Sequence, residues 1–282
     1  MDNYLFVLLQ YLVPKRLISE LIGFFAKSQN QYIKTFFIRN FHKTYNVNMQ
    51  EAVHEDLAFY PSFNSFFTRP LKPELRPIEK NTHSIISPAD GVVSQIGNIK
   101  SGKIIQAKGV HFNLLSFLGN DREYFQKFKE GVFCTIYLSP KDYHRVHMPC
   151  DGKLIKTIHV PGRLFSVAKH AVNKIKNLYA RNERLICKFK NEMTSFSVIF
   201  VAAINVSSIE VSWKGEASPP YPKKTISSNY SKKKITYDKG EEFGMFKSGS
   251  TVIILFDATV EISKEIRKGQ KIRVGQKIGL LK

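Results

Sequence analysis

Ser250 follows Gly249 and precedes Thr251 and the apolar run Val252-Ile253-Ile254-Leu255-Phe256, so a hydroxyl stands where the chain enters what reads as a buried strand. Two distant segments offer it partners. Ser87-Pro88-Ala89-Asp90-Gly91 presents a carboxylate beside a glycine, and Tyr143-His144-Arg145-Val146-His147 presents two imidazoles. An Asp, a His and a Ser are the parts that activate a serine hydroxyl. Gly249 has no side chain to shield its carbonyl and tolerates a strained backbone. Attack of Ser250 Oγ on that carbonyl rearranges the peptide to an ester, given a base near Oγ and donors for the oxyanion. His147 can serve as the base, and Asp90 as the carboxylate that holds its tautomer, provided the fold brings them together.

Other readings of the same residues stay open at this point. His144 and His147 are spaced i,i+3, as metal ligands on a helix can be, yet His111, His159 and His170 complete no ligand pattern with them, so no metal is expected. Both histidines also suit a core or turn, and Asp90 before Gly91 suits an ordinary turn. Cys134, Cys150 and Cys187 are few and far apart, which argues against a disulfide framework and for a reducing compartment. With 43 Lys+Arg against 23 Asp+Glu, the formal net charge is +20. Such a balance favours an anionic partner, a lipid surface or a nucleic acid, although no nucleic-acid-binding motif is present.

The elements that must position these groups fall into two regions. Residues 1–60 read as helical and amphipathic. Residues 5–9 are continuously apolar; Leu17, Ile18, Leu21, Ile22 and Phe25 share one face, and Tyr32, Ile33, Phe36, Phe37 and Phe41 extend it. No stretch reaches the roughly 18–20 apolar residues that cross a bilayer, so the pattern predicts a helical region lying on a membrane surface. Asp2 and the lack of a basic leader argue against a signal peptide. The proline- and aromatic-rich segment 61–77 connects this region to residues 61–282, which read as mainly β. Short β-branched runs over 91–96, 103–107, 132–138, 153–159, 184–189, 194–203, 208–211, 251–256 and 271–281 predict an antiparallel β sandwich or barrel, α+β overall. A helical turn is expected over 113–117. The basic stretch 214–239 reads as a solvated loop, with a role over the active site or against lipid head groups as the alternative. The glycine-rich segment 266–279 is similar to the hairpins of biotinyl and lipoyl carrier domains but lacks a modification lysine in a convincing turn. A zinc peptidase is a further alternative.

Taken together, the segments resemble the phosphatidylserine decarboxylase family, in its bacterial membrane-associated type. The resemblance rests on Phe63-Asn64-Ser65-Phe66-Phe67-Thr68-Arg69-Pro70-Leu71-Lys72-Pro73 with Arg76-Pro77-Ile78, on the Asp90 and His147 segments, on 160–167 and on 178–184. It implies a proenzyme that cuts itself between Gly249 and Ser250, giving a β chain 1–249 and an α chain 250–282 that remain together as a heterodimer, with higher assembly left open. Asp90, His147 and Ser250 would carry out the cleavage, Ser250 would become a covalent pyruvoyl cofactor, and His144 would donate a proton. The implied reaction converts phosphatidylserine in the membrane to phosphatidylethanolamine, at the cytoplasmic side of the cell membrane as a peripheral protein. The family pattern has Leu where this chain has Ser248; the reacting pair is intact, so Ser248 is expected to affect packing or maturation rate.

Overall fold

The computed structural model describes residues 10–107, 109–204, 208–247 and 250–282; Ser248, Gly249 and the apolar residues 5–9 lie outside them. The core is a large antiparallel sheet, and its strands are β2 (Gly91–Asn98), β5 (Val132–Leu138), β7 (Gly152–Val160), β8 (Arg184–Lys190), β9 (Ser195–Val201), β12 (Ile226–Asn229), β13 (Thr236–Tyr237), β15 (Ser250–Phe256) and β17 (Lys271–Ile272). They run in the order β12-β7-β8-β9-β15-β5-β2-β17, with β13 also pairing β7. A second sheet, β11-β10-β14-β6, is formed by β6 (Arg145–His147), β10 (Ile209–Val211), β11 (Gly215–Ser218) and β14 (Glu242–Phe246). Strands β1 (Ser84–Ile86), β16 (Val260–Ile262) and β18 (Lys277–Leu281) make a third, and β3 (Lys103–Ala107) pairs β4 (Val110–Asn113).

The first two sheets face each other as a sandwich. Phe200 of β9 meets Phe243 at 5.5 Å and Phe246 at 5.0 Å between ring centres, both on β14. Successive strand residues alternate faces. Phe200 pairs with Val252, so Ser250, two residues before Val252, is directed into the space between the sheets. The opposite face is covered by short helices α4 (Leu114–Phe117) and α5 (Leu178–Arg181). There the buried Arg184 donates to the carbonyls of Ser116, Phe117, Ala180 and Asn182.

Strand β15 lies in the middle of the sheet, bonded along its length to β5 and β9. Val252, Ile253, Ile254, Leu255 and Phe256 are at most 3% exposed. Each such side chain contributes about 1.5–3 kcal/mol on burial, against a backbone ordering cost of about 1–2 kcal/mol per residue. A strand paired on both sides keeps these contacts whether or not its N-terminal peptide bond is intact.

The N-terminal helices are α1 (Lys15–Lys27) and α2 (Gln31–Tyr45), followed by α3 (Phe63–Phe67). Their small core of Ile38, Val47, Met49, Ala52, Tyr60 and Phe66 is separate from that of the sandwich. α1 buries its small and polar side, Ser19, Gly23 and Ala26, and turns Leu17, Leu21 and Phe24 outward at 66%, 59% and 71% exposure. This inverts the arrangement of an ordinary surface helix.

The basic stretch 214–239 departs from the loop expectation. Strand β12 inside it pairs β7 at the sheet edge, four strands from β15, and β13 pairs β7 as well. Exposed Lys223, Lys224, Lys232, Lys233 and Lys234 therefore flank an edge, where lysines discourage pairing with other chains. The i,i+3 spacing of His144 and His147 is not that of a helix. Both lie on extended chain at β6, because β14 offers this segment a strand partner.

Candidate active site

Sheet register brings the three chemistry-bearing segments to one end of the sandwich. Thr251, Tyr137 and Val92 stand in one row across β15, β5 and β2. The residues preceding the first and last of these, Ser250 and Gly91, therefore flank Leu138, and Asp90 begins the loop beyond. Gly91 is required by close approach: a Cβ there would lie 2.3 Å from the carbonyl oxygen of Tyr137. The same loop reaches the histidine segment, where the amide of His147 donates to the carbonyl of Pro88 at 2.8 Å. Phe246 near the end of β14 donates its amide to the carbonyl of His144 at 2.9 Å. His144 thus sits beside the strand that leads into the Gly249–Ser250 bond.

Ser250 is 0% exposed, and its Oγ has no hydrogen-bond partner among the described residues. A buried hydroxyl left this way costs about 1–3 kcal/mol; Thr135 and Ser197 share the condition, and Ser250 differs from them in standing at the sheet end where the Asp90 and histidine segments meet. His144 is equally buried. Its Nδ1 donates to the carbonyl of Asp142 at 2.8 Å, its ring lies 4.2 Å from that of Phe67, and its Nε2 lone pair has no partner among the described residues. Burial lowers its pKa to about 3, so the ring is neutral at physiological pH.

His147 donates from Nδ1 to the carbonyl of Gly240 at 2.8 Å and accepts at Nε2 from the Tyr143 hydroxyl at 3.0 Å. Burial also holds its pKa below the usual value, partly offset by the Gly240 bond and the nearby charges of Glu242 and Asp90. Gly240 takes a left-handed backbone with φ of +83°, and a Cβ there would press on Ile78 at 2.8 Å.

Asp90 is engaged elsewhere. Arg76 donates from Nε to both of its oxygens at 3.0 Å, and the amide of Val274 donates to Oδ1 at 2.8 Å. Arg76 also bonds Glu51 at 2.6 Å. Burial opposes the Arg76 charge, but these carboxylates outweigh it and raise its pKa. No hydrogen bond joins Asp90 to His147 among the described residues. The tautomer of His147 is set by a backbone carbonyl, and Asp90 acts on the ring through its charge. Arg76, Tyr143 and Gly240 were given no role by sequence reasoning; a Tyr four residues before a candidate base was the one local signal.

Beside these groups lies a recess of about 310 Å³, walled by Asp90, Gly91, Arg69, Ser139 and Tyr143. Among the described residues no cluster of three metal-ligating side chains occurs. The three cysteines are buried and unpaired, and burial raises the pKa of each thiol, which disfavours the reactive thiolate.

Comparison with known proteins gives a consistent picture. The family model for phosphatidylserine decarboxylase matches residues 63–280, and a second model, PSD, matches residues 5–46. A phosphatidylserine decarboxylase proenzyme of Alcanivorax borkumensis is 45% identical over 278 residues, covering 98% of this chain and 95% of the relative. Proenzymes of the same name from Shewanella amazonensis (43% identical, 96% of both chains) and Pseudomonas fluorescens (44% identical, 99% of this chain and 98% of the relative) are similar.

Proposed function

Because the chain belongs to the phosphatidylserine decarboxylase family, we propose that it converts phosphatidylserine to phosphatidylethanolamine after cutting itself between Gly249 and Ser250. The observation that carries this reading is the buried, unpartnered Oγ of Ser250 at the first residue of β15. In the maturation, Ser250 Oγ adds to the carbonyl carbon of Gly249, and the peptide C–N bond breaks to leave an ester and a free amine. Loss of the Ser250 Cα proton expels the Gly249 carboxylate. Water then releases ammonia, and a ketone remains at the head of a chain of residues 250–282.

The residues fit such a group, since Ser250 is enclosed, polar and without a hydrogen bond among the described residues. A pyruvoyl group there supplies a ketone that captures the substrate amine and a carbonyl that draws off the electrons released with CO₂. The protein's part is proton handling and exclusion of water. His147, neutral because of burial, is the proposed base toward Ser250, and the charge of Asp90 favours the imidazolium formed when it takes the proton. For that, Nε2 must exchange its Tyr143 bond for one to Ser250. His144, with Nδ1 tied to Asp142, has only the lone pair of Nε2 to offer a reacting atom, so in the proposed role Nε2 first takes a proton from the substrate ammonium and then returns it to the substrate carbon.

The remaining parts of the reading concern assembly and location. The two chains would stay paired, because β15 is held between β5 and β9. The exposed Leu17, Leu21, Phe24 and Phe36, with Arg16 and the overall +20 charge, support docking on an anionic lipid surface. No helix among the described residues is long and apolar enough to cross a membrane. We place the protein peripherally, on the cytoplasmic side of the cell membrane.

Intact mass under denaturing conditions tests the reading. Two chains are expected, the smaller lighter by one ammonia than a fragment beginning with serine. A single 282-residue species that decarboxylates phosphatidylserine would overturn it.

A further inference from the structure

Arg69 and Arg184 are both buried, at 4% and 1% exposure, and they are treated differently by the fold. Arg184 donates to four carbonyls. Arg69, just after α3, donates only from Nη2, to the carbonyl of Lys141 at 3.0 Å. Its Nε is buried with no partner, and it has no ion pair among the described residues. Phe66 lies under the guanidinium at 5.8 Å. The carboxylates within electrostatic reach are Glu51, Asp90 and Asp142. Each is already engaged: Glu51 and Asp90 by Arg76, and Asp142 by the amide and hydroxyl of Ser139. A guanidinium keeps its charge in proteins, and a buried charge with most donors idle is costly unless an anion completes it.

Arg69 lines the recess with Asp90, Gly91 and Tyr143, at the same end of the sandwich as Ser250. It also stands close enough to His144 for its charge to act on that ring. Resting on the decarboxylase reading above, we propose that Arg69 grips the phosphodiester of the lipid headgroup and so sets how far the serine moiety reaches toward Ser250. The headgroup carries two anions, and the reaction distinguishes them. A guanidinium clamped on the carboxylate would stabilise a charge that must disappear as CO₂ and would raise the barrier. The phosphodiester keeps its charge throughout, so a forked donor there gives position and affinity without that penalty.

Two soluble probes separate the anions: glycerophosphoethanolamine has the phosphodiester without the carboxylate, and free L-serine has the reverse. Binding is read by phosphorus NMR line broadening and by calorimetry on the processed protein, after intact mass establishes that Arg69→Gln matures as the parent does. Loss of a charge-assisted bond should weaken glycerophosphoethanolamine by roughly 10–100-fold and leave L-serine unchanged. KM for phosphatidylserine should rise with little change in kcat. Arg69→Lys, which retains the charge without the fork, should fall between and serves if Arg69→Gln does not fold. Equal glycerophosphoethanolamine affinity in parent and either folded variant, no binding by the parent, or a loss confined to L-serine overturns the assignment. A parent that binds the probe through Arg69 but turns over no phosphatidylserine would instead sink the decarboxylase reading and leave the anion site standing.

Discussion

Nδ1 of His147 donates to the carbonyl oxygen of Gly240 at 2.8 Å, which leaves Nε2 as the lone-pair nitrogen and turns it toward the Tyr143 hydroxyl at 3.0 Å. The ring is thereby prepared as a base by the backbone of a residue 93 positions away. Tyr143 stabilises the neutral imidazole by donating to it. In Tyr143→Phe that support is lost, so protonation becomes easier and the acid limb of the maturation rate should move to higher pH. Following the cleavage half-time by gel across pH checks this; an unmoved limb would mean the phenol is not in contact with the working base.

Asp90 and Arg76 form a nearly buried pair, and Asp90→Asn should be felt twice. Leaving the Arg76 charge partly uncompensated should cost roughly 3 kcal/mol or more in a urea titration. Losing the carboxylate field on His147 should slow self-cleavage. A variant that loses stability yet matures at the parent rate would assign Asp90 to structure alone.

His144 gives the fold an acid-sensitive component. Its pKa falls from 6.5 to about 3 through burial, so the unfolded chain binds the proton more readily between these values. Stability from the neutral ring is complete above about pH 6.5 and declines as pH falls toward about 3. Replacing it by Phe, which can pack on Phe67, should flatten the dependence of the urea midpoint on pH between 7 and 4. A slope as steep as the parent's would contradict the neutral buried ring.

Leu17, Leu21 and Phe24 project from α1 into solvent, so changing all three to Ser should alter folding stability by less than about 1 kcal/mol. The same change should release the protein from vesicles containing phosphatidylserine. Sedimentation with such vesicles decides it, and undiminished pelleting would remove α1 as the anchor.

Ser250→Ala should remain one chain of 282 residues, with no carbonyl to label by hydrazide chemistry. Strand β15 should still form, since a methyl group at the first position leaves Val252–Phe256 untouched. A cleaved, carbonyl-bearing product from this variant would refute the maturation step.

The runs 103–107 and 132–138 become strands with the bounds read from sequence, because β-branched residues with flanking turn signals carry their own preference locally. The identities of Asp90, His144, His147 and Ser250 as chemical candidates were legible for a similar reason: reactivity belongs to residue type. The strand at 145–147 was not legible, because three residues hold no period and depend on β14 for bonds. The lysines of 214–239 looked like loop residues until β7 supplied an edge for β12 to join. Which partner each site residue takes was decided by tertiary structure alone. Arg76 occupies both oxygens of Asp90, Gly240 fixes His147, and Arg69 is left with idle donors, through pairings that span from 14 to 93 positions. Local sequence determines what a side chain can do, while contacts between distant segments determine which of those capacities is already used and which remains for a substrate.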